Sequence, residues 1–398
     1  MPPVLSVIIP TRNRRKTLQR TIESWIRHEC RVPFELVVVD DGSEDGTGEY
    51  LAAEAAREPR LRVSRQPHAG PAQARNRAIA EARGTYLLLG GDDIRPGEGL
   101  VDGHVAALEA PRPARFVLGR TEWDPERPVT PVMRHVTGFG AQQFRYDYLR
   151  NGQRLGFKYF YGSNLSLRRA ELAALAEPFD PAFGGAALED ADLGYRLMGP
   201  RRDIEYRAGL QAWHDHPYEL AGFAQRQYRV GRATAALFAK HPEIAPEFGE
   251  REVITAFESA ASVRRRGDRV MSPAEVAEAE KQLLASLATV EHLGHRWQER
   301  IYLGLFWYLQ AKGMVETKIP APEIALVLGA LLGRALYCPL RSALRDPGCS
   351  LPSDTRAALD GLTVRLASAR GGGRPRGCLR WWLSIRAREL SYVLRVRR

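Results

Sequence analysis

Cysteine is scarce in this chain. Its 398 residues hold four, Cys30, Cys338, Cys349 and Cys378, and they form no close pair. That argues against a zinc site or a disulfide framework and fits a reducing compartment. Long apolar runs are lacking too. The nearest, residues 324–340, is cut by Arg334 and contains two glycines, so a buried helix is expected there and not a membrane span. Met1-Pro2-Pro3 leads straight into a strand-like run, so no signal peptide is expected. Two familiar phosphate-binding loops are missing. After the first apolar run the chain reads Pro10-Thr11-Arg12-Asn13 and not G-x-G-x-x-G, and no glycine-rich loop ends in G-K-[S/T]. A nucleotide would then be gripped through carboxylates at strand ends, with a metal on its phosphates.

What is present is ordinary for a globular protein, with 44% hydrophobic and 26% charged residues. The length calls for two or three domains. The net charge of +11 is uneven: residues 370–398 carry nine arginines against one acid, Glu389, a net of +8. Trp382, Leu383, Leu390, Val393 and Leu394 fall near one stripe of that segment at helical spacing. Such a basic amphipathic helix either meets an anionic membrane surface or docks on the domain by the same stripe. No nucleic-acid-binding motif accompanies the charge, so nucleic acid is not expected as a partner.

The first hundred residues alternate. Apolar runs at 4–9, 34–39, 61–64 and 86–89 read as strands, and 14–28, 45–57 and 71–83 carry helical spacing. This order predicts a doubly wound, mainly parallel sheet flanked by helices. Two acidic pairs, Asp40-Asp41 and Asp92-Asp93, then fall at one carboxyl edge, where open α/β sheets hold ligands. The second pair follows Gly90-Gly91, and its carboxylates suit a hard divalent cation that in turn holds a diphosphate.

Ser6-Val7-Ile8-Ile9-Pro10-Thr11-Arg12-Asn13, Val37-Val38-Val39-Asp40-Asp41-Gly42-Ser43, Gly70 with Ala74-Arg75-Asn76, Gly84-Thr85-Tyr86 and Asp92-Asp93 occur in order over residues 4–96. Tyr161-Gly162-Ser163-Asn164-Leu165-Ser166, then Glu189-Asp190-Ala191-Asp192-Leu193-Gly194-Tyr195-Arg196, then Ala212-Trp213-His214-Asp215-His216 extend the series to about residue 240. Taken together these segments resemble glycosyltransferase family 2, inverting enzymes with the GT-A fold.

The resemblance implies roles residue by residue. Asp41 matches the acid that reads the nucleobase, and a carboxylate facing an imide N–H makes a uridine diphosphate sugar the expected donor. Pro10, Arg12, Arg75, Asn76 and Asp92 belong to the donor side. Asp93 matches the metal-binding acid, for Mn²⁺ or Mg²⁺. The family's D-x-D or D-D-D has Gly91 at its first position here. His214 is the candidate further metal or phosphate contact, with His216 the alternative, and either could be a surface histidine. Asp190 matches the general base, Glu189 and Asn164 the acceptor side. Asp192 and Arg196, four apart, suit a structural ion pair. Aromatic residues are dense over 139–161 and read mostly as core, while Trp123, in a Pro-rich stretch, is the expected platform for an acceptor sugar.

The implied activity is sugar transfer from a nucleotide-sugar to a hydroxyl of a glycan or lipid-linked acceptor, in cell-envelope or polysaccharide synthesis. The expected setting is cytoplasmic, peripheral on the inner face of the membrane. The Q-x-x-R-W signature of processive synthases is absent, which favours addition of one or a few sugars. Two other readings remain: a catalytically weak nucleotide- or carbohydrate-binding relative, and a nucleotidyltransferase, which would need a glycine-rich basic loop after the first strand. The expected divisions are a nucleotide-sugar half over 1–105, an acceptor half over 106–220, a helical region over 221–369 and the basic tail over 370–398. Within the helical region, 220–240, 252–263, 273–293, 299–312 and 323–336 show helical spacing.

Overall fold

The computed structural model describes residues 2–111, 113–138, 142–144, 146–183, 187–248, 271–288, 295–318, 321–347 and 351–369. The expected tail helix and linker, the helix expected over 252–263 and Phe139 lie outside these residues. The chain divides into two compact units, one made of 1–129 and 144–217 and the other of 130–143 and 218–398.

The first unit is built on a nine-stranded sheet. Its elements begin with β1 (Leu5–Thr11), α1 (Arg15–Ile26), β2 (Phe34–Asp40), α2 (Thr47–Ala55), β3 (Leu61–Arg65), α3 (Pro71–Glu81) and β4 (Tyr86–Leu89). All three contacts among β3, β2, β1 and β4 are parallel, so the alternation read from the sequence is realised. These strands are apolar on both faces because helices cover both: Val7, Ile8, Ile9, Val37, Val38 and Val39 are fully buried. Helix α1 closes one face with Leu18, Ile22 and Trp25, which recur at one turn's spacing.

Beyond β4 the sheet becomes mixed. The unit continues with β5 (Ile94–Pro96), α4 (Leu100–Leu108), β6 (Phe116–Trp123), β7 (Arg154–Leu155), β8 (Leu165–Arg168), α6 (Glu189–Met198) and β9 (Ile204–His214), while α5 (Pro131–Thr137) belongs to the other unit. Strand β8 runs antiparallel between β4 and β6, β6 pairs parallel with β9, and β5 and β7 add to β9 antiparallel. A register shift between Gly119 and Arg120 bends β6. The bend carries β6 on to Trp123, so that residue ends a strand and does not sit in a loop as its proline neighbours suggested.

Among the described residues the second unit is helical: besides α5 it holds α7 (Leu220–Lys240), α8 (Pro273–Ala288), α9 (His295–Lys318), α10 (Ala321–Arg345) and α11 (Ser353–Ala369). Phe223, Phe306, Tyr308, Leu331, Leu336 and Leu366 are buried in it. The apolar run at 324–340 lies in α10, with Leu331, Leu332, Ala335 and Leu336 at most 1% exposed. Among the described residues no helix is long and apolar enough to cross a membrane.

Candidate active site

The carboxyl ends of β1, β2 and β4 share one edge of the first unit. Thr11 pairs in register with Asp40, and Asp92 follows β4 within three residues. Asp40 itself is fully buried and closes a turn, accepting from the Ser43 N–H at 2.9 Å. Asp41, also buried, faces the next loop. Its Oδ1 accepts from Gln66 Nε2 and the Ala69 N–H, both at 2.8 Å. Its Oδ2 accepts from the Gly70 N–H at 2.9 Å and lies 2.7 Å from His68 Nδ1. Burial pushes this carboxyl up, but the four donors outweigh it and hold it below its ordinary value. Asp41 thus builds the 66–70 loop, and a nucleobase would share or displace one of these donors.

Asp92 is buried against Thr11 Oγ1 at 2.8 Å and Arg14 Nη1 at 2.8 Å. Its neighbour Asp93 reaches the same Arg14 nitrogen at 2.9 Å and stands 3.3 Å from His214 Nε2. The two acids are pushed apart. Burial raises Asp92, and the Asp93 charge adds to it against Arg14. Burial also opposes ionisation of Asp93, but His214, Arg14 and His216 overcome it and hold it well below the carboxylate range. Gly91 leaves room for this arrangement, since a Cβ there would stand 2.8 Å from Asp93 Oδ1. The missing first acid of the motif is therefore a position where any side chain would press on the second.

His214 ends β9, where it pairs in register with Ile94 on one side and Trp123 on the other. That pairing brings it beside Asp93. Trp123 stacks on the imidazole at 5.3 Å and 24°, Phe144 meets it edge-on at 5.2 Å, and His216 stacks with it at 5.7 Å. Trp123 thus packs against this histidine while remaining half-buried. Two donors each about 2.1 Å from one small divalent ion, at a right angle, lie about 3 Å apart. The 3.3 Å between Asp93 Oδ2 and His214 Nε2 fits such an ion. Among the described residues no group of three or more His, Cys, Asp and Glu is arranged to hold a metal. The rest of a shell would come from phosphate and water, as is usual for Mg²⁺.

Asp190 and Glu189 open α6. The Gly162 N–H donates to Asp190 Oδ2 at 2.9 Å, and a Cβ at Gly162 would stand 2.8 Å from Asp190 Oδ1. Glu189 accepts from Arg75 Nη1 at 3.0 Å. The Arg75 guanidinium lies 5.3 Å over the Phe179 ring. Burial disfavours its charge, but Asp190, Glu189 and Asp92 more than compensate, so it stays cationic between them. Buried Arg75 Nε and Glu189 Oε2 have no hydrogen-bond partner among the described residues. Arg75 thus feels the charge of both Asp92 and Asp190. Asp192 pairs with Arg196 at 2.8 Å, the intrahelical contact its spacing suggests.

Other expected residues lie elsewhere. Asn164 is 1% exposed, and its amide bonds His104, the Arg120 carbonyl and the Leu210 carbonyl at 2.8, 3.1 and 2.9 Å. Asn76 spends its amide on the Phe179 backbone at 2.7 and 2.8 Å. Both spend side-chain amide groups on the protein itself, three contacts at Asn164 and two at Asn76. Pro10 lies in β1 and Arg12 is exposed beyond it. Sequence reasoning missed Arg14 as a member of the site. Its only signal was the basic run Arg12-Asn13-Arg14-Arg15-Lys16, which does not say which cation turns inward.

The family model described as glycosyl transferase family 2 matches residues 6–173. The chain is 29% identical over 273 residues to validoxylamine A glucosyltransferase of Streptomyces hygroscopicus subsp. jinggangensis, covering 62% of this chain and 63% of that protein. It is 26% identical over 264 residues to pre-mycofactocin glycosyltransferase of Mycobacterium tuberculosis, covering 60% and 48%. The chain spans 63% and 58% of the length of two Streptomyces relatives. Among solved structures, mannosyltransferase PcManGT of Pyrobaculum calidifontis, in complex with GDP-Man and Mn²⁺, is 18% identical with a TM-score of 0.46, over 93% of this chain and 86% of that one.

Proposed function

We propose, from the match of residues 6–173 to the family model described as glycosyl transferase family 2, that this chain transfers a sugar from a nucleoside diphosphate sugar to a hydroxyl acceptor, with inversion at the anomeric carbon. The observation that carries this reading is Arg75. Its guanidinium donates to Glu189 at the start of α6 and is held cationic by Asp190, Glu189 and Asp92, so the acids after β4 and those opening α6 share the influence of one cation in one unit.

In this reading the nucleotide lies over the Asp41 loop and Pro10, with Arg12 free to meet it from solvent. Arg75 offers its unspent Nε to a diphosphate oxygen. Asp93 and His214 would hold Mn²⁺ or Mg²⁺, which as a Lewis acid would stabilise charge on the departing diphosphate. Asp190 takes the proton from the attacking hydroxyl on the opposite face of the sugar. The Gly162 N–H, donating to Oδ2, aims its carboxylate, and Glu189, with one oxygen uncommitted, receives the acceptor. A uridine nucleotide remains the expected donor, by the chemistry of a carboxylate facing an imide.

The test is thermal unfolding against UDP, GDP, CMP, ADP and dTDP with and without Mn²⁺, since a ligand bound to the folded state raises Tm by mass action. One nucleotide should raise Tm, and metal should enlarge its effect. Hydrolysis or transfer of the matching nucleotide-sugar should then disappear in Asp190→Asn. A metal-independent shift with no turnover would favour a nucleotide-binding relative without catalysis.

A further inference from the structure

Two buried carboxylates side by side need a cation, and the one that meets them in this structure is the protein's own. Arg14 caps the start of α1 and reaches across the edge of the sheet. Its Nη1 donates to Asp92 Oδ1 at 2.8 Å and to Asp93 Oδ2 at 2.9 Å. Its Nη2 lies 2.8 Å from His216 Nδ1. A guanidinium can only donate, so His216 Nδ1 accepts and that ring carries its proton on Nε2. Asp93 Oδ2 is also the oxygen that stands 3.3 Å from His214 Nε2. One oxygen is therefore claimed by Arg14 and by any divalent ion shared with His214. The acids are nearly closed off, with side chains 8% and 13% exposed, whereas Arg14 is 30% exposed and has room to leave.

We propose that Arg14 is an exchangeable counter-cation: it neutralises Asp92 and Asp93 until a divalent ion binds, competes with that ion for Asp93, and is drawn off when a nucleoside diphosphate offers its guanidinium a phosphate. The proposal rests on the metal-assisted reading above. A metal ion entering the free protein must displace the guanidinium and lose that attraction. A diphosphate removes this obstacle, because its oxygens give the displaced guanidinium a new partner. Metal and nucleotide thus favour each other through Arg14, and linkage makes that favour reciprocal. Arginine suits this task because its planar fork holds the donors to Asp92, Asp93 and His216 in one fixed geometry, whereas the lysine ammonium is a compact point charge on a flexible stem.

The experiment is Mn²⁺ binding to the full chain, read from the electron paramagnetic resonance signal of free Mn²⁺, with and without UDP. Wild type, Arg14→Met and Arg14→Lys are compared, with Asp93→Asn as the control. Arg14→Met should bind Mn²⁺ without nucleotide about tenfold more tightly than wild type, and the enhancement by UDP should shrink by a similar factor. Arg14→Lys should fall between the two, and it carries the test alone if Arg14→Met does not fold. Adding Asp93→Asn to Arg14→Met should remove the tight site. Equal or weaker Mn²⁺ binding in both Arg14 variants would overturn the proposal. If wild type with UDP then still bound Mn²⁺ through Asp93, the metal-assisted reading would stand without it. No Asp93-dependent Mn²⁺ binding in any protein would sink both.

Discussion

Gly162 holds Asp190 by its backbone: the N–H donates to one carboxylate oxygen at 2.9 Å, while the missing Cβ would stand 2.8 Å from the other. Asp190→Asn should lower transfer by about 10²–10⁴-fold, the usual worth of a positioned base, with nucleotide-induced stabilisation unchanged. Gly162→Ala should lose part of the same rate and leave KM for the donor near wild type. Steady-state kinetics on both variants decides this, and near wild-type kcat in Asp190→Asn would remove the residue from the chemistry.

Trp123 stacks on the His214 imidazole at 5.3 Å. Trp123→Leu should therefore weaken Mn²⁺-dependent nucleotide binding by about tenfold, the scale of a lost supporting contact around a metal ligand. The acceptor KM should move little. If the acceptor KM rises while Mn²⁺ dependence holds, the ring serves the sugar and not the histidine.

Gly91 sits where a side chain would meet Asp93 Oδ1 at 2.8 Å. Restoring bulk there should hurt. Gly91→Ala and Gly91→Asp are both expected to raise the Mn²⁺ concentration needed for half-maximal nucleotide binding, by about tenfold for alanine. Tighter Mn²⁺ binding in Gly91→Asp would mean that the extra carboxylate can join the site after a backbone shift.

His104 couples α4 to β8. It is fully buried, with Nε2 2.8 Å from Asn164 Oδ1 and Nδ1 2.8 Å from Ser166 Oγ. The Asn164 oxygen can only accept, so Nε2 carries the proton and Ser166 donates to Nδ1. Burial pushes this imidazole down to about 4. The unfolded chain binds the proton near pH 6.5 while the folded one does not. The stability is then fully present above pH 6.5 and is lost as pH falls toward 4. The loss should approach about 1.4 kcal/mol per pH unit within that window. Urea unfolding at several pH values, with His104→Gln as reference, should show the slope only in wild type. Parallel profiles would mean that other groups set the acid limit.

Part of this architecture was open to inspection in the sequence. The parallel half was, because each of its strands is apolar on both faces and each is followed by a helix with one apolar stripe. Asp41, Asp92, Asp93, Asp190 and His214 could be proposed because each sits in a short segment whose chemistry is local, and the fold sets Asp93 beside His214. The mixed half was not, since β5 and β7 have three and two residues and β6 is bent at Gly119. The roles of Arg14, Trp123, Asn76 and Asn164 were hidden for a different reason. Whether a polar side chain meets a ligand or a carbonyl of its own protein depends on partners 78, 91, 103 and 46 positions away.

Those separations order the birth of the site. The cradle around Asp41 closes over partners 25 to 29 positions ahead, so it can form soon after that stretch leaves the ribosome. The catalytic side closes over 114 positions from Arg75 to Glu189 and 202 from Arg14 to His216. Closing loops that long is slow. A nascent chain therefore closes the Asp41 loop well before it can bring Glu189 to Arg75 or His216 to Arg14.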